Sequence, residues 1–200
     1  MTAPRAHRPP ERERAALDDA ALLRAVQEGD LGALGEVYDR HAKAVWRAVR
    51  RTLGHGADVD DVVHATFLRL PDLAASYDGR PSCRAWLCGI AIRLALRHKR
   101  GMGRFHRMLR AFAEGLTGRS AGDPERQASH GEELAVFEAA LARMSEKKRA
   151  VFVLVELEGM TAEEAARLLG IPAATARTRL FHARAELREA LGRTREGGEP

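Results

Sequence analysis

The sequence predicts an all-α fold of two small helical domains joined by a flexible linker, with a helix-turn-helix in the C-terminal one. Three observations carry that expectation. Apolar residues recur every three or four positions through most of the chain, and no alternating strand pattern lasts more than a few residues. Residues 111–131, AFAEGLTGRSAGDPERQASHG, break the periodicity with Gly, Ser, Asp-Pro and mixed charge, as a flexible connector does. The domains are therefore expected at 20–110 and 132–192, with aperiodic tails at 1–19 and 193–200 expected to be disordered. A chain of 200 residues, 45% apolar, can bury one or two small cores. A net charge of +5 and a pI near 9.7 favour an anionic partner such as nucleic acid.

In the first domain, Leu34, Val37, Tyr38, His41, Val45, Ala48, Val49 and Leu53 recur at helical spacing and predict a long amphipathic helix. Further on, ADVDDVVHATFLRL places Val59, Val63, Phe67 and Leu70 on one helical face and Asp61, His64 and Leu68 on the opposite one. A leucine beside an acid and an imidazole on an outward face suits a protein partner. His64 has no second ligand at metal spacing, so zinc is not expected there. From Gly79 to Ala113 the chain has no Asp or Glu but nine positive charges, among them Arg84, Arg93, Arg97, Lys99 and Arg100. Such a run suits a phosphate backbone, while Leu87, Ile90, Ala91 and Leu94 give it an inward helical face. Tyr77 and Trp86 are able to stack on unpaired bases, although a lone Trp beside an apolar stripe is more often core. Cys83 and Cys88 would point about 140° apart on a helix, at ~100° per residue. They read as buried thiols rather than a local disulfide or a zinc set, and no metal or cofactor is expected.

In the second domain, Thr161 and Glu164 form a capping-box pattern that starts a helix. Gly170 is suited to end it, Ile171 to tuck between two helices, and Pro172 to preset the first turn of the next. That is helix-turn-helix grammar. In the following helix Ala176, Leu180, Ala183, Leu187 and Leu191 share one stripe expected to pack inward. The opposite side carries Thr178, Phe181 and His182, flanked by Thr175, Arg177, Arg179 and Arg184. Arg177 and Thr178 suit base edges in a major groove, Phe181 a thymine methyl, and the flanking arginines phosphates.

The polar, Pro-rich start MTAPRAHRPPERERAALDD has no signal-peptide core, and no later stretch reaches the roughly 18 apolar residues of a membrane span. A cytoplasmic protein that does not contact membranes is expected.

Taken in order, VDDVVHATFLRL, RAWLCGIAIRLALRHKR and ARMSEKKRAVFVLVELEGMTAEEAARLLGIPAATARTRLFHARAEL resemble the extracytoplasmic-function (ECF) sigma factors, the small two-domain class of bacterial transcription initiation factors. The resemblance covers roughly residues 20–192. It implies a non-catalytic subunit that gives core RNA polymerase its promoter choice. Its first domain would grip the clamp helices of the largest polymerase subunit through Asp61, His64 and Leu68. That domain would also capture the minus-ten strand with Tyr77, Arg84, Arg93, Arg97, Lys99 and Arg100. Its second domain, near the polymerase flap region, would read the minus-thirty-five element through Thr175, Arg177, Thr178, Arg179, Phe181, His182 and Arg184. An anti-sigma factor is a further expected partner. Four positions depart from the family's usual wording: His64 stands where Gln is common, Ala65 where an acid is, Arg93 for Asn and Ala176 for Val.

Two other readings remain at this point. A helix-turn-helix regulator that does not direct polymerase predicts a receiver or ligand domain, for which residues 20–110 lack the strand–helix alternation. A degenerate sigma paralogue acting by protein binding would account for the four departures. An enzyme fits least, since no Gly-rich phosphate loop, nucleophile elbow or metal-ligand cluster is present in the pattern.

Overall fold

The computed structural model describes residues 11–54, 59–97 and 132–196. No strand occurs among them, and the all-α expectation holds. Two short helices, α1 (Glu11–Ala16) and α2 (Asp19–Gln27), precede the 23-residue α3 (Leu31–Leu53). Each start has a physical cause. Asp18 caps α2 by accepting the Ala21 N–H at 2.7 Å, and Asp30 caps α3 by accepting the Gly32 and Ala33 N–H groups at 2.8 and 3.3 Å. Gly54, at φ +84°, ends α3.

Along α3 the residues Ala33, Val37, His41, Val45, Ala48, Val49 and Thr52 are buried, as the spacing of its apolar positions requires. Helix α2 and helix α4 (Val59–Leu68) pack against it. The short α5 (Leu70–Leu73) and a 3₁₀ turn (Ala74–Ser76) lead toward α6, which spans residues 83–97. The C-terminal half begins with α7 (Glu132–Arg143) and α8 (Glu146–Phe152), which runs into a single π turn at Val153–Leu157. Helices α9 (Ala162–Leu169) and α10 (Ala173–Glu196) complete it. Leu141, Met144, Val151, Phe152, Ala166, Ala176, Leu180 and Ala183 form its own core.

The stretch 1–19, read from sequence as a tail, is helical from Glu11, and Arg40 supplies the reason. Its guanidinium donates to the Leu17 and Ala15 carbonyls at 2.8 and 2.9 Å, satisfying acceptors left over at the end of α1. At the other end, α10 continues past residue 192 to Glu196. The linker 111–131 lies outside the described residues.

The two halves share a core. Ala150, Val153, Leu154, Met160 and Ala165 belong to the same apolar cluster as Val37, Val45, Leu87 and Ile92. Helix α6 lies between them. Leu87 and Ala91, on the stripe read as inward, are buried, while Ile90 and Leu94 are only half-buried, and Cys88, Ile92 and Ala95 are buried as well. A helix buried on more than one side has neighbours on more than one side.

Candidate nucleic-acid interface

The turn between α9 and α10 forms as its chemistry dictates. Thr161 Oγ1 accepts the Glu164 N–H at 3.1 Å, and Glu164 Oε2 accepts the Thr161 N–H at 2.8 Å, closing the capping box. Gly170 ends α9 in the left-handed region at φ +66°, ψ +44°, which a side chain resists. Ile171 packs against the C-terminal core, and Pro172 precedes the first turn of α10. Ala176, Leu180 and Ala183 are buried, and Leu187 is half-buried against that core. Leu191 departs from the expected stripe: it is 37% exposed and does not join that core.

With that stripe anchored, α10 turns Arg177, Thr178, Phe181, His182 and Arg184 to solvent, with Thr175 and Arg179 half-buried beside them. Phe181 is 65% exposed, a large apolar surface on an otherwise cationic face. Two of the arginines are held by acids of the same half. Arg177 pairs with Glu163 at 2.6 Å, and Arg184 pairs with Glu156 at 2.6 Å. The Thr178 hydroxyl donates back to the Ala174 carbonyl at 3.0 Å.

The residues read as minus-ten contacts are grouped around α6. Tyr77 is half-buried and packs on Trp86, ring centroids 5.1 Å apart, and Trp86 is buried as core. Arg84 is 52% exposed, Arg93 half-buried and Arg97 exposed. Lys99 and Arg100 lie outside the described residues. On α4, Asp61, His64 and Leu68 share an exposed face, with Leu68 at 76%. His64 lies parallel to Tyr38 at 6.3 Å, and Val59, Val63 and Phe67 are buried behind it.

Sequence reasoning missed what the C-terminal half does to this surface. Arg84 Nε lies 3.2 Å from Glu158 Oε2, an ion-pair distance at an angle too poor for a hydrogen bond. Burial pushes the Glu158 carboxyl above the usual glutamate range, while Arg84 and the Cys88 thiol hold it down. Leu168 of α9 sits on Gly89, and the Arg93 guanidinium lies against Gly170. Asp78 pairs with Arg167 at 3.5 Å, and Arg51 with Glu138 at 3.1 Å. At the end of α3, Arg149 is buried beside Gly54, and burial lowers its pKa. The only sequence signals for this contact were Gly89 in a helix interior and Glu158 among apolar residues.

Comparison with known proteins agrees with this architecture. The Sigma-70 region 2 family matches residues 37–105, and the Sigma-70 region 4 family matches residues 134–187. The RNA polymerase sigma factor NccH of Alcaligenes xylosoxydans xylosoxydans is 34% identical over 177 residues, which cover 84% of this chain and 92% of NccH. The sigma factor CnrH of Cupriavidus metallidurans is 33% identical over 183 residues, covering 85% and 93% of the two chains. The solved structure of CnrH in complex with the cytosolic domain of CnrY superposes with a TM-score of 0.56 at 29% identity, covering 87% of this chain and 97% of that one.

Proposed function

Because this chain belongs to the ECF sigma factors, which direct promoter-specific initiation by RNA polymerase, we propose how its two halves divide that work. The observation that carries the proposal is α10. Its buried Ala176, Leu180 and Ala183 fix the helix so that Thr175, Arg177, Thr178, Arg179, Phe181, His182 and Arg184 line the opposite side and its flanks. This supports insertion of α10 into the major groove of the minus-thirty-five element by domain 132–192, near the polymerase flap region. Domain 20–110 binds the clamp helices of the largest polymerase subunit through Asp61, His64 and Leu68. It takes the displaced minus-ten strand on Tyr77, Arg84, Arg93, Arg97, Lys99 and Arg100. The protein acts as a non-catalytic, cytoplasmic subunit; among the described residues no helix is long and apolar enough to cross a membrane. An anti-sigma factor is its regulatory partner, a reading supported by the complex of the similar CnrH with the cytosolic domain of CnrY.

The test is reconstitution. Core polymerase with this chain should give specific transcripts from a genomic promoter library, and the chain alone should bind duplex promoter DNA weakly, because each half offers a small contact that gains from being tethered to the other. The double change Asp61→Arg, Leu68→Glu should cut core binding at least tenfold with helicity intact. Tight, specific binding by the chain alone, with no transcript from the holoenzyme, would make it a promoter-binding regulator instead.

A further inference from the structure

Three side chains far apart in sequence meet in the N-terminal half: Asp19 at the start of α2, His41 in the middle of α3 and Cys83 at the start of α6. A carboxylate oxygen, an imidazole nitrogen and the thiol sulfur all lie within 4.8 Å of one another. His41 and Cys83 are buried, at 8% and 2% exposure. His41 Nε2 faces Asp19 Oδ2 at 3.1 Å, yet has no hydrogen-bond partner among the described residues. A buried imidazole nitrogen left in this way is costly unless something else takes its lone pair or its proton. The other Asp19 oxygen is already held, since Arg40 donates to Oδ1 at 3.3 Å.

We propose that Asp19, His41 and Cys83 bind one thiophilic divalent transition-metal ion, zinc above all. The donor set of one nitrogen, one sulfur and one oxygen suits zinc, and three protein ligands leave a fourth position for water. With metal–ligand bonds of about 2.0–2.3 Å, tetrahedral ligands stand on the order of 3.5 Å apart, so edges of up to 4.8 Å shorten by about 1.3 Å at most and the 3.1 Å His41–Asp19 edge opens slightly. Arg40 orients the carboxylate in the way outer groups orient metal ligands, and its own charge is matched by Glu36 at 2.7 Å. Carboxylate and thiolate together neutralise the dication. The Cys83 thiol gives its proton to solvent as the sulfur–metal bond forms. Because metal and proton compete for the same sulfur and imidazole nitrogen, binding weakens as the pH falls. The ion would tie α2, α3 and α6 together beside Tyr77, and so stiffen the segment assigned to the minus-ten strand.

The full chain without an affinity tag is titrated with Zn²⁺ against a chromophoric chelator, and with Co²⁺ as a spectroscopic probe. One metal per chain is expected, with a thiolate-to-cobalt charge-transfer band. The chain has two cysteines, so Cys88→Ser leaves Cys83 as the sole thiol and should keep the band. Cys83→Ser should abolish it, and both Cys83→Ser and His41→Ala should weaken Zn²⁺ binding by about tenfold or more. Absence of the band from the wild type, its loss in Cys88→Ser, its survival in Cys83→Ser, or unchanged Zn²⁺ affinity in His41→Ala would each overturn the proposal. The cluster would then be a His–Asp ion pair beside a buried thiol. If the Cys83 and His41 variants fail to fold, the wild-type and Cys88→Ser spectra decide it. None of these readouts depends on transcription.

Discussion

Arg177 and Arg184 carry the same charge on the same helix and both rest on an acid, but their positions give them different work. Arg177 lies in the second turn of α10, at the end proposed to enter the groove, whereas Arg184 is about two turns further along, beside the buried stripe. Their side chains are 61% and 52% exposed, so each ion pair with Glu163 or Glu156 is worth about 0–1 kcal/mol and yields readily to DNA. Arg177→Ala or Thr178→Ala should therefore change the preferred upstream bases, at about 1–3 kcal/mol for a lost base contact. Arg184→Ala should weaken binding evenly across sequences and flatten the salt dependence, as loss of a phosphate contact does. Selection from a randomised upstream library with each variant holoenzyme separates the two; a shift in base preference with Arg184→Ala alone would reverse the orientation of α10. The outward position of these residues was legible because helical spacing fixes both faces once one is apolar. Their partners Glu163 and Glu156 were not, since a pattern within one helix says nothing about which acid of another helix lies opposite. His41 shows the same limit: it reads as one more position on an apolar stripe, and only the fold brings Asp19 and Cys83 to it.

Elements were legible where their ends carry their own chemistry. The turn from α9 to α10 follows from Thr161, Glu164, Gly170 and Pro172, all within a dozen residues, because capping and left-handed termination are local. Helix α1 was not, because its order depends on Arg40, whose guanidinium arrives from 23 residues beyond Leu17. The local elements make a sharp prediction. Thr161→Ala removes the oxygen that accepts the Glu164 N–H and should cost about 1 kcal/mol of stability. Gly170→Ala should cost about 1–2 kcal/mol through the backbone, since φ +66° disfavours any side chain. The new methyl itself meets Arg93 no closer than 3.5 Å, an ordinary contact. Denaturant midpoints with unchanged slopes would measure both, and a Gly170→Ala chain as stable as the wild type would show that the turn relaxes into another conformation.

At the scale of the molecule, both halves were expected but not their contact, since an apolar residue facing another domain reads like one facing its own core. The contact engages one face of the basic helix. Arg84, Cys88, Gly89 and Arg93 of α6 meet Glu158, Leu168 and Gly170, so the surface assigned to the minus-ten strand is engaged by the half assigned to the minus-thirty-five element. If the two halves take two separated promoter elements as proposed, this contact has to open. Glu158 makes closure depend on pH. Its carboxyl is pushed upward when buried in the contact, so the closed form binds the proton more tightly than the open one. Closure is thus favoured below the ordinary glutamate value of about 4.3 and loses that contribution as the pH rises through the raised value. A compact fraction that grows on acidification in the wild type and less so in Glu158→Gln, followed by the distance between labels on the two halves, is the expected result.

Gly89 offers the cleaner lever. A Cβ built there would lie 2.5 Å from Leu168 Cδ1, 3.2 Å from its Cβ and 3.3 Å from its Cγ, so the whole leucine must move and not merely its tip. Within α6, replacing glycine by a better helix former gains about 1 kcal/mol at most, so Gly89→Ala and Gly89→Leu act chiefly on the contact. The larger residue should open it further: the radius of gyration from solution scattering should rise from wild type through Ala to Leu, with helicity unchanged. Transcription by reconstituted holoenzyme at limiting sigma should rise in the same order, because less free energy is then needed to part the halves. Adding Leu168→Ala to Gly89→Leu exchanges large for small across the contact and should bring back the compact form. If Gly89→Leu remained as compact as the wild type, α9 would not be what holds the two halves together.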